Sequence, residues 1–387
     1  MKIKKLFNNP KAKIIWNKFI DWIIGAAIGA VFGAIFSGNW IPATIFSVVL
    51  LGLLFIHIVL SIKTNDNCDI LKILNGELNA NNYIAVIRIG RALSRPLHLS
   101  GRYTLRNEIG HITKKACDQL DDNKKLLIDD RDILVAQIKA QTLIDDLGWT
   151  SYELGRNDTA IDNINTGIQI AKDIKDYKLA VKGYRHLIGI LNSLHREEDR
   201  DKKIQEAINI INSQEYKDLF NDESDYEHAK AEFDYAYART LIDSDPQKAL
   251  MLAERVQTIF ETDQKNDRDR YVKTFDLIGD IYARSNTPAS LKKAKRYYYD
   301  GIIKCEECGR TERLLRISND YIRLLIKMIE NSDIYNSKSW QDVDKDELFV
   351  YEKALGYAQR TENYSYRSKF KKLHKQYIKA RNRIDKG

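Results

Sequence analysis

In the stretch "YIAVIRIGRALSRPLHLSGRYTLRNEIGHITKK" (83–115), Arg88, Arg91 and Arg95 recur at i, i+3 and i+7, which puts three guanidinium groups on one helix face. Arg102 and Arg106 follow four apart, and Lys114 and Lys115 bring the local count to seven basic residues against Glu108. A guanidinium is planar, permanently charged and forked, the geometry that grips phosphate. The cluster therefore fits anion binding, and the same residues suit an anionic lipid surface or salt bridges between helices. A second group, "KKAKRYYYDGIIK" (292–304), sets basic residues beside three tyrosines, which fits phosphate contact with base stacking. Tyr298 falls on a position expected in the core, so Tyr297 and Tyr299 are the candidate platforms, with core packing as the competing and favoured use. A third basic stretch, "RSKFKKLHKQYIKARNRIDK", carries nine basic residues and one acid and reads as a solvated or membrane-facing surface.

No stretch carries a phosphate-cradling glycine loop, a dinucleotide fingerprint, an H-E-x-x-H pair or a nucleophile elbow. The carboxylates scatter along helical patterns and read as solvated, and the seven histidines lie mostly alone. Cys305-Glu-Glu-Cys308 lacks the second pair or nearby histidine that a zinc site needs. With Cys68 and Cys117 it reads as reduced thiols in a cytosolic domain. A binding or structural role, with no cofactor and no metal, is expected rather than an enzyme.

The elements that would carry these residues divide at about residue 63. The formal charge is +8, of which residues 1–63 hold +6 from seven lysines and Asp21, so the rest of the chain is nearly balanced. Two apolar stretches, 14–37 and 41–62, are each long enough to cross a bilayer core of about 30 Å. Lysine-rich residues 1–13 precede them and an uncharged loop joins them. The expected arrangement is a transmembrane helical hairpin in a bacterial inner membrane with both termini cytoplasmic. Gly25, Gly29 and Gly33 fall four apart and form a flat ridge for close helix packing, within the hairpin or between subunits. Asp21 and His57 sit ~10 Å and ~9 Å from the cytoplasmic ends of their spans. Ionisable groups at that depth usually face a bundle interior or a wet cavity.

From residue 64 the 3.6-residue period dominates and no strand pattern stands out. Helix pairs recur: Gly148 is followed by Ala160, Ile164 and Gly167, and Ile278-Gly279 by Ala294, Tyr298 and Gly301. Gly189 takes a similar place, and Ala249 repeats the position in a further pair. This pattern resembles the tetratricopeptide repeat, with small residues where paired helices cross, at a longer spacing of about 41–48 residues. The expected fold class is all-α. A basic adaptor covers 63–130, repeats cover 131–343 and closing helices cover 344–387.

The organisation resembles that of bacterial anti-phage membrane effectors and, in outline, the channel subunit of Hailong-type systems. That resemblance implies a tetrameric ion channel controlled by a short DNA oligomer, with a nucleotide or oligonucleotide partner for the solenoid and the lipid bilayer around the spans. The alternative is a membrane-anchored scaffold whose repeats bind a partner protein.

Overall fold

Apolar residues at helical spacing, interrupted after several helices by a residue in the left-handed backbone region, dictate a chain of antiparallel helices. A computed structural model describes residues 67–384 apart from 129–130, 263–267, 286, 331–339 and 361–363. The chain divides into two compact units, Met1–Gly76 and Glu77–Gly387. In order come α1 (Asn67–Asn79), α2 (Tyr83–Leu99), α3 (Tyr103–Asp118), β1 (Lys125–Ile128) and β2 (Arg131–Leu134). Next is α4, a continuous helix built of Val135–Gln141, a π-helical section Thr142–Trp149, and Thr150–Glu153. Then follow α5 (Asn157–Asp173), α6 (Tyr177–Ser193), α7 (Glu197–Ile211), the single turn α8 (Gln214–Lys217), α9 (Glu223–Leu241) and α10 (Pro246–Thr262). The described chain ends with α11 (Arg268–Arg284), α12 (Pro288–Glu307), α13 (Thr311–Glu330), α14 (Trp340–Arg360) and α15 (Tyr364–Ile384).

Helices pair as α2 with α3, α4 with α5, α6 with α7, α9 with α10 and α11 with α12, and each pair packs on the next. The first helices α4, α6, α9, α11 and α13 begin at residues 135, 177, 223, 268 and 311, so the repeat is 42–46 residues long. This is a helical-repeat solenoid. Its last core joins α11, α12 and α13 to α14 and α15 through buried Val272, Tyr298, Leu325, Tyr321, Phe370 and Tyr377.

One turn geometry recurs. Asn81, Gly101, Gly155, Lys175, His195 and Gly309 all have φ between 57° and 77°. In each turn the left-handed residue donates its N–H three residues back and the next residue donates five back, as Lys175 does to Lys172 and Asp176 to Ala171. This is the Schellman arrangement, which satisfies the last carbonyls of the outgoing helix.

Small residues set the crossings within pairs. A Cβ on Gly148 would meet the Ile164 side chain, and one on Gly279 would lie 2.5 Å from the Tyr298 ring. Gly189 differs from the sequence reading: it faces open space, and the close-approach glycine of α6 is Gly183, against Ile168. The two lie six residues apart, a net rotation of about 120° at 3.6 residues per turn, and so belong to different faces.

The all-α expectation holds for the described residues apart from one short element. Among the described residues β1 and β2 form an antiparallel hairpin in which Leu126 faces Ile133 and Ile128 faces Arg131. Four-residue strands are too short for alternation to stand out, although Leu126 and Ile128 are buried and Leu127 is exposed. Among the described residues no helix is long and apolar enough to cross a membrane. The expected spans, with Asp21, Gly25, Gly29, Gly33 and His57, lie outside the described residues.

Candidate functional site: a charged seam along the first helices

The repeat period is written directly in the side-chain contacts. A separation of 41 residues recurs in the hydrogen bonds Tyr152–Ser193, Lys178–Leu219, Glu232–Lys273, Arg239–Asp280 and Asp243–Arg284. All but Lys178–Leu219 join one repeat to the next. Along α4, α6, α9, α11 and α13 these links condense into a seam of paired charges.

The seam starts at two consecutive acids in the π-helical section of α4. Neighbouring side chains on a helix diverge, so the two reach different partners. Asp146 accepts from Ser94 Oγ on α2 at 2.5 Å and from Arg106 Nε on α3 at 2.7 Å. Asp145 accepts from Lys182 Nζ on α6 at 2.5 Å and lies 3.5 Å from His186 Nε2. Burial opposes the charge of Asp145, yet Lys182 and His186 outweigh it and hold the carboxyl well below the usual range. Burial, with the Asp145 charge, pushes Asp146 up against the pull of Arg106. The His186 ring is tilted over Trp149 at 5.0 Å, and burial lowers its basicity.

The middle of the seam is Glu232 on α9, which is buried and receives three cations. Arg185 from α6 stands at 2.9 Å, Arg270 at 2.9 Å and Lys273 at 2.8 Å, the last two from α11. Burial alone would raise its pKa; the three cations reverse that and hold it far below the usual range.

The far end is a cluster of three arginines and three aspartates. Arg239 of α9 reaches Asp276 at 3.3 Å and Asp280 at 2.8 Å, both on α11. Arg313 and Arg316 of α13 approach the same Asp276 oxygen at 3.9 and 3.3 Å. Tyr298 donates to Asp280 at 2.6 Å, and Asn319 donates to Asp320 at 3.1 Å. Burial, with Asp276 and Asp280 close by, pushes Asp320 up to about 7. Asp276, Asp280 and Asp320 bring carboxylate oxygens within 4.8 Å of one another, a spacing open to a cation. The adjacent guanidinium groups offset much of that charge, while Asp276 Oδ1 is buried without a hydrogen-bond partner among the described residues.

The sequence candidates are distributed. Arg88 donates from α2 to the Leu127 carbonyl of β1 at 3.1 Å, tying the hairpin down. Arg106 is buried with Asp146, Ser94 and His98. Arg102 stands at the N-cap of α3, Arg95 is exposed, and Arg91 Nε is buried with no acceptor among the described residues. Tyr297 stacks on Tyr282 at 5.8 Å, and Tyr299 packs near Tyr321 and Phe349. Cys305 is buried in the last core, and Cys308 follows the end of α12.

The seam acids overturn the reading of the carboxylates as solvated, since Asp145, Asp146, Glu232 and Asp276 are all buried. A signal for them existed: an acid and a base one repeat length apart on successive first helices, as in Glu232 and Lys273.

No protein-family model and no curated protein matches the chain. Among solved structures it is similar to the apo form of RapI, with 14% identity over 79% of this chain and all of that one, at a TM-score of 0.46. It is also similar to a circular tandem repeat protein, with 11% identity over 95% of this chain and 97% of that one, at a TM-score of 0.22.

Proposed function

We propose that the repeats form a polypeptide-binding scaffold, tethered by residues 14–62 to a bacterial inner membrane and facing the cytoplasm. The observation that supports this reading is the mixed sign of the seam. Arg106, Lys182, Arg185, Arg239, Arg270, Lys273, Arg313 and Arg316 alternate with Asp145, Asp146, Glu232, Asp276, Asp280 and Asp320. The seam cations are already paired with these carboxylates, so a nucleic acid laid along the row finds few basic groups free for its phosphates. A polypeptide with charges of both signs exchanges partners with the row. Lys182, Arg185, Arg270 and Arg316 are partly exposed and are the groups such a ligand reaches first.

The test is fluorescence anisotropy on the full chain in nanodiscs, with a peptide library and with short DNA oligomers at low salt. Mixed-charge peptides should bind, and Arg185→Ala with Arg316→Ala should weaken them at least ten-fold. Binding of oligomers in preference to every peptide would overturn the reading.

A wider reading has ligand capture gate an oligomeric ion channel in anti-phage defence, with a nucleotide signal held by Arg88, Arg91, Arg95, Arg102 and Arg106 or, separately on α12, by Tyr297 and Tyr299. The Gly25, Gly29 and Gly33 spacing with Asp21 favours it, since a plain anchor needs neither. Planar-bilayer conductance of the full chain, with and without oligonucleotide, tests it, and a silent but oligomeric protein would refute it.

A further inference from the structure

Helix α15 presents two unlike faces. Phe370, Leu373, Tyr377 and Ala380 are buried in the last core, and His374 stacks on Tyr351 of α14 at 4.4 Å. The opposite face exposes Lys371, Lys372, Lys375 and Lys379, together with Ile378, which is 37% exposed. No acidic residue occurs anywhere in Tyr364–Ile384. Among the described residues none forms an ion pair with these four lysines. At roughly 100° per residue, positions 371, 372, 375 and 379 form one stripe about 12 Å long. Unlike the charges of the seam, these are not neutralised within the repeats.

We infer that this face of α15 docks on the anionic headgroups of a lipid bilayer. The positive stripe complements a surface of negative charge, and Ile378, beside Lys379 on the same exposed side, is placed to enter the headgroup boundary. A single-stranded nucleic acid binds on exposed rings for stacking, and among the described side chains of α15 Phe370 and Tyr377 are turned into the core while His374 is covered by Tyr351. Lysine on a flexible stem is a point charge suited to diffuse attraction. The reading rests in one respect on the tethering above, because the apolar stretches would hold a bilayer near the domain. The docking itself is testable with added vesicles whether or not those stretches insert.

Each lysine near an anionic leaflet improves partition about five-fold, so four together amount to several hundred-fold. The experiment is lysine acetylation footprinting of the full chain, read by mass spectrometry and normalised to exposed Lys202 of α7. Vesicles of neutral phosphatidylcholine are compared with vesicles containing phosphatidylglycerol. Labelling of Lys371, Lys372, Lys375 and Lys379 should fall at least ten-fold on anionic vesicles and recover in 0.5 M salt, where the Debye length is only about 4–5 Å. In the variant with all four lysines changed to Gln, flotation with anionic vesicles should fall to its level with neutral ones. Equal labelling on both vesicle types overturns the inference, as does protection by a DNA oligomer on neutral vesicles, which would make the partner a nucleic acid.

Discussion

Replacing Glu232 with Gln should uncouple α6 from α9 and α11. The side chain is 8% exposed, accepts a charge-assisted hydrogen bond from Lys273 at 2.8 Å and forms ion pairs with Arg185 and Arg270 at 2.9 Å. Deleting one partner of a buried ion pair costs about 3–5 kcal/mol. Glutamine keeps an acceptor and the shape, and Arg270, at 37% exposure, can turn to water. The expected loss is therefore smaller, about 2 kcal/mol. A repeat array opens locally, so the readout is amide hydrogen exchange in α9 and α11, which should quicken about 30-fold at pH 7. The pH dependence follows from the sign of the shift. The folded pKa lies below the unfolded value of about 4.3. The stabilisation is thus complete above that value and is lost as pH falls through the folded pKa. Denaturant titrations should show a constant gap between wild type and variant from pH 7 to about 5, closing in stronger acid. Unchanged exchange in α9, or a gap that widens on acidification, would refute the account of Glu232 as the joint of the seam.

Gly279→Ala should lower stability by about 1–3 kcal/mol, because its methyl meets the Tyr298 ring, which is pinned by its bond to Asp280. Gly189→Ala, facing open space, should raise it by about 0.5–1 kcal/mol, and the opposite order of denaturant midpoints would show that the crossings are misassigned. Lys175→Gly relieves a side chain held at φ 59° and should stabilise by about 0.5 kcal/mol, read as a higher thermal midpoint; a lower midpoint counts against the turn geometry. Asp320 has its pKa raised to about 7, so ionising it costs stability as pH rises from its unfolded value through 7. Asp320→Asn should flatten that part of the stability–pH curve between pH 5 and 8, and an unaltered slope would assign it to another group.

The architecture was legible where packing forces a residue type. Gly148, Gly167, Gly279 and Gly301 mark helix crossings, and Ala160, Ala249, Ala294 and Tyr298 are buried at the matching places. Gly189 misled because a small residue near the expected position does not reveal which way the helix is turned. The hairpin was too short to show a period. The seam was the least legible part. Glu232 and Asp276 look like solvated-face acids in any single helix, and only the neighbouring first helices, some 40 residues before and after, supply their cations. Arg106 shows the same limit: its spacing advertised a free guanidinium, and its partner Asp146 lies 40 residues away.

The one-repeat span of the seam bonds sets which changes in chain length the molecule can absorb. Adding or removing a whole repeat leaves each acid facing a base in the next unit, so the array can lengthen or shorten in register. A single inserted residue within α6, α9 or α11 rotates everything beyond it by about 100° and severs bridges on both sides. Length variation should then be confined to second helices and turns. The one inserted turn among the described residues shows the kind of place that is tolerated: α8 lies between α7 and α9, outside the row of charges.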